Sequence, residues 1–394
     1  MFRLFKGFDF TLIITPILLA LFGTVMIYSA SMVSTTVLGL ESTYYFHRQI
    51  VWFLLGLIVF WFLCFFPYRY FKNLIKLMMG VSFVLLVVVL FFGELENNAI
   101  RSINVFGFNM QPSELVKLVI IIYLAYIFTK KQAYIHHFIK GVLPPLLLVL
   151  VYAFLIFIQP DIGTMGILLL IIATMIISAG VRWRHILLLV FASTMFIIII
   201  IPVVMTEKRW DRVFGAYDPF SDPSLSGHHL IQSYLAISGG GLSGEGLGQS
   251  VQKLGYLWGA HTDFIMSVIA EELGIFGVFI VVGLLLLIIL RGLYIANKCQ
   301  DNFGTLLAIG ISSMIAFQAF INLGAISGVL PITGVTLPFV SYGGSSLLVL
   351  MASMGILNNI AKNVNLKEMD PKSVREIDND KVVQPNRGGQ TWSS

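Results

Sequence analysis

Charge is scarce in this 394-residue chain: 11% of its residues are Asp, Glu, Lys or Arg, against 57% that are hydrophobic. A soluble domain carries about 25% charged residues, so this composition, with a mean hydropathy of +0.89, excludes a water-exposed globule. Cysteine is almost missing. Cys64 lies in an apolar run and Cys299 in a basic connector, too far apart in topology for a disulfide, and both read as packing residues. Apolar runs such as 197–201 also lack the alternation of polar and apolar residues that a membrane barrel needs. The net charge of +5 does not point to nucleic acid, because most of the cations sit in short connectors, where they report orientation.

What remains is a series of apolar runs near the about 20 residues that cross a bilayer as helix. They cover about 10–30, 50–66, 74–92, 113–128, 142–158, 163–180, 186–205, 264–290, 304–323 and 345–360. The first follows Arg3 and Lys6 but is long for a signal peptide, and it reads as a retained helix. The expected fold class is an all-α polytopic membrane protein of about ten transmembrane helices, occupying 1–361, followed by a disordered cytoplasmic tail at 362–394. Connectors with Arg69 and Lys72, with Lys130, Lys131 and Lys140, with Arg182 and Arg184, and with Arg291 and Lys298 alternate along the chain. The positive-inside rule places them, and both termini, in the cytoplasm. Glu41, Glu94, Glu96, Glu114, Asp161, Glu207, Asp211, Asp218, Asp222, Glu245, Asp263, Glu271 and Glu272 fall on the other side or in the outer half.

Two external segments stand out. The loop at 206–262, between helices 7 and 8, is far longer than ordinary connections and holds the glycine-rich run at 238–248. The segment at 324–344, between helices 9 and 10, is half apolar and broken by Pro331, Gly334, Pro338, Gly343 and Gly344. Non-helical backbone at membrane depth survives only where protein covers it or it lines a wet cavity, so this segment is expected to fold back as a re-entrant lid beside the site.

Acids in or beside apolar helices are the candidates for chemistry, since each costs about 2.5–3.5 kcal/mol on insertion scales. In Gln111-Pro112-Ser113-Glu114-Leu115-Val116-Lys117, Pro suits the first helical turn and Glu114 and Lys117 share a face. A paired Glu114–Lys117 could also merely cancel its own burial. In Gln159-Pro160-Asp161-Ile162-Gly163, Asp161 suits either a helix cap or a hard divalent cation, Mg or Mn. Arg209 and Arg212, with Lys208, form a cationic stretch that suits either anionic lipid or a phosphate group, and Arg101 could assist them. His228 and His229 lack the spaced partners of a metal site. Asp263, at the water boundary of the eighth span, is either a helix cap, with Thr262 as competitor, or a carboxylate of tunable pKa suited to general-base work. Glu271 and Glu272 read as structural.

These motifs together with Pro331-Ile332-Thr333-Gly334-Val335-Thr336-Leu337-Pro338-Phe339-Val340-Ser341-Tyr342-Gly343-Gly344-Ser345-Ser346 resemble the SEDS proteins, the FtsW, RodA and sporulation family. The run at 238–248 followed by Val251-Gln252-Lys253-Leu254 is more similar to the division branch, FtsW, than to RodA. The resemblance implies a peptidoglycan glycosyltransferase that polymerises lipid II at the outer face of the bacterial cytoplasmic membrane, at the division septum. It would work with a class B penicillin-binding protein and other divisome membrane proteins. It implies Asp263 as catalytic residue, Glu114, Lys117, Arg101, Arg209, Arg212, Ser341 and Ser345 toward the substrate and its pyrophosphate, and Asp161 toward a divalent cation. Leu257-Trp258-Gly259-Ala260, Ser102 after Arg101, and His228-His229 depart from the family pattern while leaving Asp263 in register. Two readings from other classes stand beside it: a lipid II flippase, which intramembrane acids also suit, and a non-catalytic scaffold for the penicillin-binding protein.

Overall fold

The structure, a computed structural model, describes residues 6–96, 99–105, 108–204, 207–223 and 227–369. Its helices are α1 (Phe10–Val37), α2 (Tyr44–Phe65), α3 (Phe71–Phe92), α4 (Pro112–Lys130), α5 (Leu143–Ile158), α6 (Ile162–Ser178), α7 (Trp183–Val204), α8 (Glu207–Tyr217), α9 (His228–Gly240), α10 (Ile265–Lys298), α11 (Asn302–Ile326) and α12 (Gly344–Met369). Eight are long and apolar enough to cross a membrane, and α6 and the Trp183–Met195 part of α7 are shorter apolar helices. Each of the ten expected apolar runs falls on one of these helices. α8 and α9 belong to the long segment at 206–262. α12 runs on past the expected boundary at 361, and the rest of the proposed tail lies outside the described residues.

The helices sort into inner and outer by burial. In the most apolar stretches of α2 and α3, 28% of residues are buried, whereas α4 and α11 reach 72% and α12 reaches 94%. α4, α11 and α12 therefore form the core, and they are the helices on which an interior polar group has protein neighbours in place of lipid.

One end of the bundle gathers the start of α1, the α2–α3 turn, the α10–α11 connector and the end of α12. Asp9 caps α1 by accepting from the backbone N–H groups of Thr11 and Leu12, and Arg291 Nε donates to its Oδ2 at 2.6 Å. Asn359 accepts from Tyr68 N at 3.0 Å and donates to Cys64 O at 2.8 Å, while Tyr68 Oη donates to Asp301 at 3.0 Å. α1 thus begins and α12 ends on the same side, as an even number of crossings requires.

The all-helical expectation needs two corrections. The α3–α4 connection folds into a three-stranded antiparallel sheet of β1 (Glu94–Glu96), β2 (Ala99–Val105) and β3 (Phe108–Met110). Ile100, Ile103 and Val105 are β-branched residues with high strand propensity, and short strands pair locally in a loop held over the helix ends. Secondly, α10 is not continuous. Gly274 has φ 64° and ψ −159°, which separates a nine-residue half-helix (265–273) from the span that follows. A side-chain carbon at Gly274 would lie 2.5 Å from Leu242 O and Gly244 N, so the break is where the glycine-rich run meets α10 backbone to backbone. Glu245 N donates to Glu271 O at 2.9 Å, Gly246 N to Glu272 O at 3.0 Å, and Ile275 N to Gly241 O at 3.2 Å. The run supplies bonds that the broken helix cannot make for itself.

Candidate active site at the non-basic end

Asp263 sits in a tight turn just before the half-helix. Thr262 N and Phe264 N both donate to Gly259 O, at 2.9 and 3.2 Å, and Gly259 takes φ 75°. The first helical residue is Ile265, and Phe264 precedes it without any side-chain cap. Thr262 Oγ1 donates to Gly259 O at 3.2 Å.

The segment at 327–343 has no regular helix and packs against that turn. Tyr342 N donates to His261 O at 2.9 Å. Ser341 Oγ donates to Thr262 O at 2.6 Å and accepts from Leu337 N at 2.8 Å. Asn322 of α11 donates from Nδ2 to both Asp263 O and Val335 O at 2.8 Å. Val335, Leu337, Phe339 and Val340 are buried, so the segment packs inward against the protein. It holds Asp263 through its backbone.

Gly334 measures the other side of Asp263. A carbon placed at its β position would lie 3.5 Å from Asp263 Oδ2 and 3.7 Å from Arg101 Nη1. The carboxylate and the guanidinium therefore flank one glycine, with Arg101 delivered by β2. A side chain at 334 would fill the space between them.

The remaining acids are committed elsewhere. Glu114 Oε1 lies 2.8 Å from Lys117 Nζ, with both side chains largely buried. Lys117 also donates to Gln318 Oε1 at 3.3 Å, and Gln318 Nε2 donates to Thr336 O and Ser346 Oγ at 3.2 Å each. Gln318 and Asn322 are four apart on α11, hence on one face, so one helix joins the Lys117 pair to the backbone of Asp263. Asp161 caps α6 through Thr164 N at 3.2 Å, and its Oδ2 accepts from Gln111 Nε2 at 2.8 Å and Ser113 Oγ at 3.2 Å. Glu271 accepts from Ser250 Oγ, Val251 N and Gln252 N. Glu272 binds Lys253 at 2.7 Å and accepts from Ser29 Oγ.

Several expected site residues turn out to hold the scaffold. Ser345 Oγ accepts from Gln111 N at 2.9 Å and donates to Asn109 O at 3.3 Å, tying α12 to β3 and α4. Ser341 is spent as described. Asp161 was a candidate for Mg or Mn, yet its two oxygens already accept three hydrogen bonds. Among the described residues no group of three His, Cys, Asp or Glu side chains is arranged for a metal. In the structure Asp161 thus acts as helix cap and tie between α6 and the start of α4. Arg209 and Arg212 lie on α8, and their side chains fall outside the described residues. Sequence reasoning missed Gln318, Asn322 and the Lys253–Glu272 pair. Two amides spaced four apart within the apolar α11 were the available signal for the first two.

His261 closes the site on the α2 side, its ring 4.4 Å from that of Tyr45 and 5.8 Å from that of Tyr342. Burial pushes its pKa down to about 4, so it is neutral at pH 7 and serves as an aromatic wall.

Fold and site thus define a polytopic membrane protein with a half-buried carboxylate held at one end by an inward-folded strap. Residues 9–366 match the family model for the FtsW, RodA and SpoVE cell cycle proteins, and the chain belongs to that family. It is 46% identical over 380 residues to the "Probable peptidoglycan glycosyltransferase FtsW" of Bacillus subtilis, covering 94% of each chain. To "Stage V sporulation protein E" of the same organism it is 38% identical, covering 90% of this chain and 97% of the relative. Among solved structures, a chain of the complex described as "Structural coordination of polymerization and crosslinking by a peptidoglycan synthase complex" superposes with a TM-score of 0.74 at 28% identity, over 91% of this chain and 98% of that one. The rod shape determining protein RodA of Thermus thermophilus superposes with a TM-score of 0.65 at 27% identity, over 90% of this chain and 97% of its own.

Proposed function

We propose that the chain polymerises lipid II into glycan strands at the outer face of the cytoplasmic membrane during division, with Asp263 as general base. By family and by identity to FtsW it is a peptidoglycan glycosyltransferase. The observation that carries the assignment of the base is the contrast among the acids. Glu114, Asp161, Glu271 and Glu272 are each 7% exposed or less, whereas Asp263 is half-buried and open to a substrate, and it meets Arg101 at the glycine of the strap.

In the step proposed, the 4-hydroxyl of one lipid II attacks the anomeric carbon of another saccharide chain. Asp263 takes the hydroxyl proton as the new C–O bond forms. The bond from the anomeric carbon to the pyrophosphate oxygen breaks, undecaprenyl pyrophosphate leaves, and configuration inverts to the β linkage. Arg101, which meets the same glycine as that carboxylate, offsets charge on the leaving pyrophosphate, where a fixed guanidinium is worth most in a water-poor site. Lys117 acts from behind, through Gln318 and the backbone of Thr336. Arg209 and Arg212 contribute longer-range attraction for the pyrophosphate.

The expected partner is a class B penicillin-binding protein that crosslinks the new strand, with further divisome proteins at the septum. Purified protein given lipid II, with and without that partner, tests the reading. Glycan chains on a gel support it. Translocation of lipid II across vesicles without polymer would make the chain a flippase, and neither activity would make it a scaffold.

A further inference from the structure

The basic end of the bundle carries a cavity of about 360 Å³, at the opposite end from Asp263. Its walls are the α2–α3 turn with Tyr68 and Arg69, the α10–α11 connector with Cys299 and Asp301, and the last turns of α12 with Lys367 and Glu368. The volume falls in the range of pockets that take small molecules.

The charges on the wall are unevenly matched. Glu368 pairs with Lys298 at 3.0 Å. Asp301 accepts from Tyr68 Oη at 3.0 Å and lies 3.9 Å from Lys72. Both wall acids are thus occupied. Arg69 bonds the Tyr68 hydroxyl and feels the Asp301 charge, but among the described residues no carboxylate lies within 4 Å of Arg69 or Lys367, so both cations line the cavity without a close carboxylate.

Depth is marked by aromatic residues. Tyr70, next to Arg69, is 55% exposed, and Tyr294, whose ring lies 5.6 Å from Lys298 Nζ, is 48% exposed. Exposed tyrosines at the ends of apolar helices sit at headgroup level, and basic pockets between spans on the cytoplasmic side suit anionic headgroups. We propose that this cavity binds the phosphate-bearing headgroup of an anionic phospholipid from the leaflet on the basic side, with Arg69 and Lys367 as its cations. A soluble phosphate has the same chemistry but gains nothing from the depth of the site.

Cys299 provides the readout. It lines the cavity, and the only other cysteine in the chain, Cys64, is fully buried. The full-length protein is placed in nanodiscs of phosphatidylcholine or of phosphatidylglycerol, and Cys299 is alkylated with an uncharged maleimide. Phosphatidylglycerol is expected to slow the reaction at least threefold, an effect lost in R69Q/K367Q and kept in K130Q/K131Q, whose lysines lie in another basic connector. If R69Q/K367Q does not fold, K367Q alone is expected to lose at least half of the protection. Protection that persists in the cavity variant would reflect surface potential alone and overturn the proposal. So would equal loss in K130Q/K131Q, or equal protection by inorganic phosphate in phosphatidylcholine discs.

Discussion

Lys253 and Glu272 form an ion pair of 2.7 Å with side chains 1% and 0% exposed, joining the loop before Asp263 to the half-helix that follows it. Ser29 of α1 completes it, donating to Glu272 and accepting from Lys253 at 3.0 Å. Removing one member of such a pair leaves a buried charge and costs about 3–5 kcal/mol, whereas replacing both by apolar residues is often neutral. Lys253→Met is therefore expected to lower the thermal transition in detergent sharply. Lys253→Met with Glu272→Leu is expected to recover most of the loss, and a double-mutant cycle of melting curves reads the coupling.

Asn322 connects the strap to the turn of Asp263 with a single amide nitrogen. Asn322→Leu leaves two carbonyls without their donor, at about 1–3 kcal/mol for each buried one, and frees Asp263 to shift. Polymerisation of lipid II by this variant is expected to fall at least tenfold with folded protein still recoverable. Unchanged turnover would show that the strap does not position the carboxylate.

The break in α10 depends on residue type. Gly274→Ala brings a side chain to φ 64° and to 2.5 Å from the backbone of the glycine-rich run, and Gly240→Ala would collide with the backbone of Ala270. Both are expected to reduce the yield of folded protein. Gly239→Ala, next in line but with nothing within 4 Å of the added carbon, is expected to be neutral or stabilising by up to about 1 kcal/mol, since Ala favours helix.

Much of this was legible beforehand because hydropathy and charge asymmetry report spans and sidedness directly. The Glu114–Lys117 pair follows from spacing on one helix. Lys253 could not be matched to Glu272, because they lie nineteen positions apart across a non-helical stretch and a helix start, and only the folded loop brings them together. Nor does an apolar pattern distinguish a glycine that breaks a helix, such as Gly274, from one tolerated within it. A hydroxyl in a motif, such as that of Ser341 or Ser345, likewise does not reveal beforehand which backbone groups it will bond.

His261 makes the fold sensitive to acid. Its folded pKa, lowered to about 4, lies below the ordinary value of 6.5, so between those limits the unfolded chain binds a proton that the folded chain does not. Its contribution to stability is complete above pH 6.5, declines as pH falls toward 4, and then levels off. Melting temperatures between pH 7 and 4 are expected to decline less in His261→Phe than in the parent.

The central claim is that Asp263 takes the proton of the attacking hydroxyl. Initial rates of lipid II polymerisation by parent, Asp263→Asn and Asp263→Glu, at equal folded concentration and with the partner present, test it directly. General-base catalysis is worth typically about 10²–10⁴ in rate, so Asn is expected to lose at least a hundredfold, with Glu retaining a measurable part of the activity. Asp263→Asn polymerising within a few fold of the parent would contradict the account.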